Sequence, residues 1–249
     1  MIVVGDGHDP ETAKIFDTPD VYKPLALTYF SIEKSQQGVA RNRGVEKATA
    51  PITLFIGDDI FLAKDACEKH LDAHKFLNSS SAVLGHTTWD PACGITPVMT
   101  WLERSGWQFG YPMIEQYARK AIPKNIQHRF TYTSHISLPT AIAKQFPFRE
   151  DVSLYGWEDI LWGTKLRDTE VQLIYEPDAK ALHHHHIELA ESLKRMETIG
   201  KSLQKMREID PTFDRIPKGW KLWAHQIMAL LPTMRGQHER AFLRGILTM

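Results

Sequence analysis

Pro51-Ile52-Thr53-Leu54-Phe55-Ile56-Gly57-Asp58-Asp59 is the stretch on which the reading of this chain turns. A β-branched and aromatic run follows a proline and ends in a Gly-Asp-Asp turn, the pattern of a buried strand that stops at a polar site. Two adjacent carboxylates behind such a strand repel one another unless donors or a cation compensate them. Hard divalent ions take oxygen ligands, commonly one or two carboxylates completed by substrate phosphates. The same pair also suits a plain turn or cap, so alone it decides nothing.

Working outward, Ile2 to Val4 repeats the pattern and ends in Gly5-Asp6-Gly7, while Val83 to Gly85 and Val171 to Tyr175 read as further strands. Gly38 to Ala48 and Asp65 to Leu77 read as helices, the latter with Cys67, Leu71, His74 and Leu77 on one face. Strands alternating with helices predict an α/β fold, a mostly parallel sheet flanked by helices. Ligands of such sheets gather at the carboxyl ends of strands, where Asp6 and the Asp58-Asp59 pair fall. Trp89 to Arg129 shows no period and is expected to be an irregular pocket wall. Farther on, Leu189, Leu193, Met196, Ile199, Leu203 and Met206 predict a long helix that Asp210-Pro211 stops. Trp220, Trp223, Ile227 and Leu230 predict a second. The expected division is therefore 1–188 as the α/β domain and 189–249 as a helical C-terminal extension.

The 249 residues suffice for one large domain with such an appendage. Thirty basic residues balance thirty acidic ones, which leaves no general attraction for nucleic acid. Cys67 and Cys93 are the only cysteines, no sign of a secreted disulfide framework. The opening Met1-Ile2-Val3-Val4 does not read as a secretory leader, and Trp220 to Leu231 is too short and polar to span a bilayer. A cytoplasmic protein is expected, with the C-terminal helices open to a peripheral contact at the inner membrane face or to a homodimer.

Two more stretches carry chemistry. In Tyr155-Gly156-Trp157-Glu158-Asp159, an indole suits stacking on a pyranose and a carboxylate suits proton transfer from a hydroxyl. The acid pair equally fits the first turn of a helix. In His183-His184-His185-His186, a strand from Ala179 to His185 would place His183 and His185 on one face and their neighbours on the other. His70 and His74 have the spacing of a zinc-binding helix but lack the accompanying glutamate. Ser134-His135 lacks a nucleophile elbow.

In order along residues 1 to 188, these pieces resemble the family 2 glycosyltransferases of the GT-A fold. Val3-Val4-Gly5-Asp6-Gly7-His8 is similar to the family's Val-Val-Asp-Asp-Gly-Ser turn, and Ala40-Arg41-Asn42-Arg43-Gly44 to its Ala-Arg-Asn-x-Gly helix. Phe55-Ile56-Gly57-Asp58-Asp59 resembles the strand ending in Asp-x-Asp, with Gly57 in place of the leading Asp. His135-Ile136-Ser137-Leu138-Pro139 through Trp157-Glu158-Asp159 to Lys165-Leu166 resembles the acceptor-side segment, and Asp178-Ala179 with His183 and His185 the strand ending in a metal-binding histidine. The resemblance implies an inverting sugar transfer from a nucleotide-sugar donor to a hydroxyl acceptor such as a glycan or lipid-linked sugar, with cell-surface polysaccharide assembly as the setting. Asp6, Arg43 and Asp58 would bind the donor. Asp59 with His183 or His185 would bind Mn2+ or Mg2+. Asp159 would be the general base, Glu158 would orient the acceptor hydroxyl, and Trp157 would stack on a sugar. The chain begins at what matches the family's second strand, so an exposed sheet edge is expected. Two rivals remain: a relative that binds nucleotide-sugar or glycan without turnover, which Gly57 favours, and a zinc hydrolase built on the histidines.

Overall fold

The computed structural model describes residues 1–18, 23, 25–78, 80–152, 156–211, 213 and 216–247; Tyr155 lies outside them. The first half runs β1 (Ile2–Asp6), α1 (Pro10–Phe16), β2 (Thr28–Ile32), α2 (Gln37–Lys47), β3 (Ile52–Ile56), β4 (Ile60–Leu62), α3 (Ala66–Lys75), β5 (Ser81–Trp89), α4 (Pro97–Ser105) and α5 (Tyr111–Ile114). The second half runs β6 (His135–Pro139), α6 (Thr140–Gln145), α7 (Glu158–Asp168), β7 (Gln172–His183), α8 (Leu189–Ile209), α9 (Trp220–Ala229) and α10 (Met234–Leu247).

The fold is α/β, but the sheet is in two pieces. β1 and β2 pair in parallel by themselves, Ile2 opposite Thr28 and Asp6 opposite Ile32. The other strands follow the order β3-β6-β5-β7-β4. In that sheet only β5 and β7 run parallel; β3·β6, β5·β6 and β4·β7 are antiparallel. The expected mostly parallel sheet is thus a mixed one. Apolar runs report burial and not direction, and β6 carries His135 and Ser137 within its run, which hid it from a hydrophobic reading. Inserted between β3 and β5, it runs against both.

Two further expectations change. Glu176-Pro177-Asp178 does not end a strand: pairing passes from Leu84–Tyr175 to His86–Lys180, and β7 absorbs residues 176–179 as an irregularity opposite Gly85. The supposed irregular wall contains α4, whose ends obey ordinary rules. Thr96 caps it by accepting from Met99 N–H, Pro97 occupies the first turn, and Gly106 closes it with φ 72°.

Phe55, Leu84, Ile136, Leu138, Phe148, Trp162, Leu166 and Leu173 belong to the main core between sheet and helices. A second cluster joins Val152 and Trp157 to Leu203 and Met206, so α8 shares a core with the chain before it. α8 and α10 cross closely: a Cβ on Gly200 would lie 2.3 Å from the Phe242 carbonyl oxygen, and one on Gly245 2.2 Å from that of Glu197.

Candidate active site

Asp59 lies in the turn after β3, where the His184 N–H donates to its carbonyl (2.8 Å) and pins the histidine run against it. His183 Nε2 is 2.9 Å from Asp59 Oδ2, and His185 Nδ1 is 3.6 Å from the same oxygen. β7 ends at His183, yet the alternation continues beyond it. His184 Nδ1 turns to Asp90 Oδ2 (2.6 Å), and His186 Nδ1 to the Cys93 carbonyl (2.8 Å). The structure therefore brings Asp59, His183 and His185 together, with ligand atoms within 4.8 Å of one another. Trp89 stacks on the His183 ring at 5.1 Å, and His183 Nδ1 is buried without a hydrogen-bond partner among the described residues. The hydrogen bond with His183 holds the Asp59 carboxyl below its usual range, against the opposing effect of burial.

Asp58 is exposed and does not join this group. Gly57 has a steric reason to be glycine. A Cβ there would sit 2.8 Å from Asp59 Oδ1 and 3.1 Å from Ile60 Cγ1, so a second carboxylate at this position would displace the first.

The acid pair opens α7. Thr133 Oγ1 donates to Asp159 Oδ1 (2.6 Å), Thr133 N–H points at Oδ2 (3.3 Å), and Thr131 Oγ1 donates to the Asp159 carbonyl (2.9 Å). Arg41 Nη1 stands 3.6 Å from Glu158 Oε1 and 3.7 Å from Asp159 Oδ1, buried and without a hydrogen-bond partner among the described residues. Burial pushes both carboxyls above the ordinary range, and the Asp159 charge pushes Glu158 further; Arg41 offsets this only in part. The two centres share one segment, since Thr133 holds Asp159 while the Ser134 carbonyl accepts from Gly57 N–H (3.2 Å).

Asp6 ends β1. Its Oδ1 accepts from Ser35 N–H (2.7 Å) and Ser35 Oγ (3.1 Å), and Lys34 Nζ stands 3.4 Å from Oδ2. Burial would raise this carboxyl, but the Ser35 and Lys34 contacts outweigh it and hold it low. Gly7, at φ 112°, lets the chain turn directly after it.

The Glycosyl transferase family 2 model matches residues 1–137, more than half of the chain. The chain belongs to glycosyltransferase family 2. Among solved structures, this family 2 glycosyltransferase is similar to the mannosyltransferase PcManGT from Pyrobaculum calidifontis in complex with GDP-Man and Mn2+: TM-score 0.60, 14% identity, over 99% of this chain and 76% of that one. It is also similar to S. aureus TarS in complex with UDP-GlcNAc: TM-score 0.53, 15% identity, over 98% and 72%. At such identities the likeness speaks for the fold. No curated protein sequence matches the chain.

Of the remaining residues expected in the site of this family 2 glycosyltransferase, Arg43 pairs with two carboxylates and Trp157 is buried. Arg43 Nη1 donates to Glu46 (2.6 Å) and its Nη2 to Glu150 (3.2 Å), away from the acid pair. Residues two apart on a helix diverge by about 200°, so only one arginine of α2 can meet Glu158 and Asp159, and it is Arg41. Arg41 stands in the same Ala40–Gly44 segment, and no role had been expected of it. Trp157 donates from Nε1 to Ser202 Oγ (2.6 Å), meets Phe213 edge-on at 5.0 Å and is only 6% exposed. With its ring under α8, it has no face open to a sugar. It is a core residue.

Proposed function

We propose that this glycosyltransferase is metal-dependent and inverting, and moves a sugar from a nucleotide-sugar donor to a hydroxyl of a sugar or glycan acceptor. The observation that carries this reading is the placement of two centres on one segment: Thr133 holds Asp159 of the acid pair beside Arg41, and Ser134 accepts from Gly57 next to the Asp59-His183-His185 group. A carboxylate grouped with two imidazoles suits cation binding, and a carboxylate oriented by a hydroxyl suits proton transfer.

Asp159 is the general base. The acceptor O–H breaks toward its carboxylate while the oxygen bonds to the anomeric carbon, and the bond to the diphosphate oxygen breaks on the opposite face, which inverts the centre. Glu158 orients the hydroxyl, and the Arg41 charge favours the ionised form of the acid pair. Asp6 receives the nucleoside, with the exposed Asp58 as a secondary donor contact. Asp59, His183 and His185 would hold the divalent cation. One carboxylate oxygen and two imidazole nitrogens within 4.8 Å of one another make a donor set that suits a divalent cation. Two imidazole nitrogens favour Mn2+ over the harder Mg2+. When bound, the ion offsets charge on the departing diphosphate. The GDP-Man, UDP-GlcNAc and Mn2+ of the similar structures accord with this reading.

A thermal-shift screen of nucleoside diphosphates with and without Mn2+ tests the site and reports the donor class. Asp159→Asn should bind the same diphosphate and lose turnover by about 10²- to 10⁴-fold. Equal activity of Asp159→Asn and wild type would remove Asp159 as base. Diphosphate binding with no transfer to any acceptor would favour the binding-only relative.

A further inference from the structure

α9 carries an apolar face that the fold leaves uncovered. Trp220 is 75% exposed, Trp223 64% and Leu230 81%, with Ile227 and Leu231 also exposed. At about 100° per residue these positions fall on one stripe. Ala229, the buried residue of α9, falls on the opposite side. Lys221 lies on one flank of the stripe and Gln226 on the other, both exposed.

This exposure is built into the fold. His225 Nδ1 pairs with the buried Glu239 across the α9–α10 corner, and Arg240 donates to the Ala229 and Leu231 carbonyls. A Cβ on Gly236 would meet the Leu231 carbonyl oxygen at 2.0 Å, so the corner closes only around glycine. α9 is thus clamped by its inner face while its outer face presents two indoles.

The charge around the stripe is one-sided. From Ile216 to His238 the chain has no Asp or Glu, while Lys218 and Lys221 are exposed; Arg235 pairs with Glu239 just beyond. Indoles prefer the boundary between hydrocarbon and headgroups, and lysines beside them favour anionic headgroups. We infer that α9 lies in the plane of an anionic phospholipid surface, with Trp220, Trp223 and Leu230 inserted and Lys218 and Lys221 at the headgroups. Among the described residues no helix is long and apolar enough to cross a membrane, so the contact is peripheral.

The test is co-sedimentation of the full chain with vesicles of phosphatidylcholine alone and of phosphatidylcholine mixed with phosphatidylglycerol. The wild type should bind the mixed vesicles, with a blue shift of tryptophan emission, and bind neutral ones weakly. Trp220→Ser with Trp223→Ser should abolish binding without changing the melting temperature, because both side chains are exposed. Lys218→Gln and Lys221→Gln should each weaken it about fivefold. Equal sedimentation of wild type and the double tryptophan variant would overturn the inference. So would a dimer that the same variant dissolves, with no vesicle binding by the wild type.

Discussion

Arg41 stands 3.6 and 3.7 Å from Glu158 and Asp159, close enough for Coulombic attraction and too far for a hydrogen bond. Its influence on the pair is therefore electrostatic and should appear in a pH profile. A general base works ionised, so kcat/KM falls as pH drops through the raised pKa of Asp159. Arg41→Ala removes the nearby cation, raises that pKa further and moves the acid limb to higher pH, costing about tenfold in rate for each unit of displacement where the limb is steep. Arg43→Ala should leave the limb in place, because Arg43 is engaged with Glu46 and Glu150. Gly57 gives a second residue-scale expectation. In Gly57→Ala the new methyl pushes on the Asp59 carboxylate, and the Mn2+ concentration needed for half-maximal activity should rise about 10- to 100-fold, read from an activation curve. That His183 and His185 share a side was legible in the sequence because strand alternation decides it, while their meeting with Asp59 was implied only by the family resemblance. The contact of Arg41 with the acid pair was not legible, because it depends on the rotation of α2 about its axis, which no side-chain pattern on that polar helix supplies.

At the scale of elements, α3 and β6 are joined by a buried run of hydrogen bonds: Thr87 to His135 Nδ1 (3.1 Å), His135 Nε2 to His70 Nε2 (3.1 Å), His70 Nδ1 to Ser137 Oγ (2.8 Å), and Ser137 Oγ to His74 Nε2 (2.9 Å). Burial holds His70 neutral, its pKa lowered to about 3, and likewise His135, lowered to about 4. The unfolded chain takes up those protons near pH 6.5, which the native state refuses. Stability is therefore full above about pH 6.5 and falls as pH drops toward 4, by roughly 2–3 kcal/mol per unit for the two groups together. Urea melts between pH 7 and 5 check this, and His70→Gln should flatten the slope. His70 and His74 share the spacing of a zinc-binding helix, but in the structure both turn to Ser137 Oγ, His70 buried and His74 half-buried. The network itself was illegible, since its partners in β5 and β6 lie far away in sequence. α4 carries its start and stop signals in the sequence, Thr96, Pro97 and Gly106, within an aromatic stretch that has no clean period. The helices of α8 and α9 followed from their apolar repeats alone.

At the scale of the molecule, the family resemblance was readable because several short motifs stood in order, while the strand directions and the break between the two sheets were not. The break bears on how the molecule responds to ligand. Asp6 rides on β1, and Asp59 follows β3, yet no backbone ladder joins those strands among the described residues. β1 instead leans on α2, where a Cβ on Gly44 would reach Val4 Cγ2 at 3.4 Å. A nucleoside diphosphate held at both Asp6 and the cation site would act as a staple across this seam. Nucleoside alone and Mn2+ alone should each raise the melting temperature a little, and the diphosphate with Mn2+ by more than their sum. A ligand at 100 times its Kd adds about 2.7 kcal/mol, and the excess over additivity measures the coupling between the halves. Amide exchange in β1 and β2 should slow on the same titration. The donor would then serve as a temporary structural member, lending the sheet a continuity between β1 and β3 that backbone hydrogen bonding does not provide.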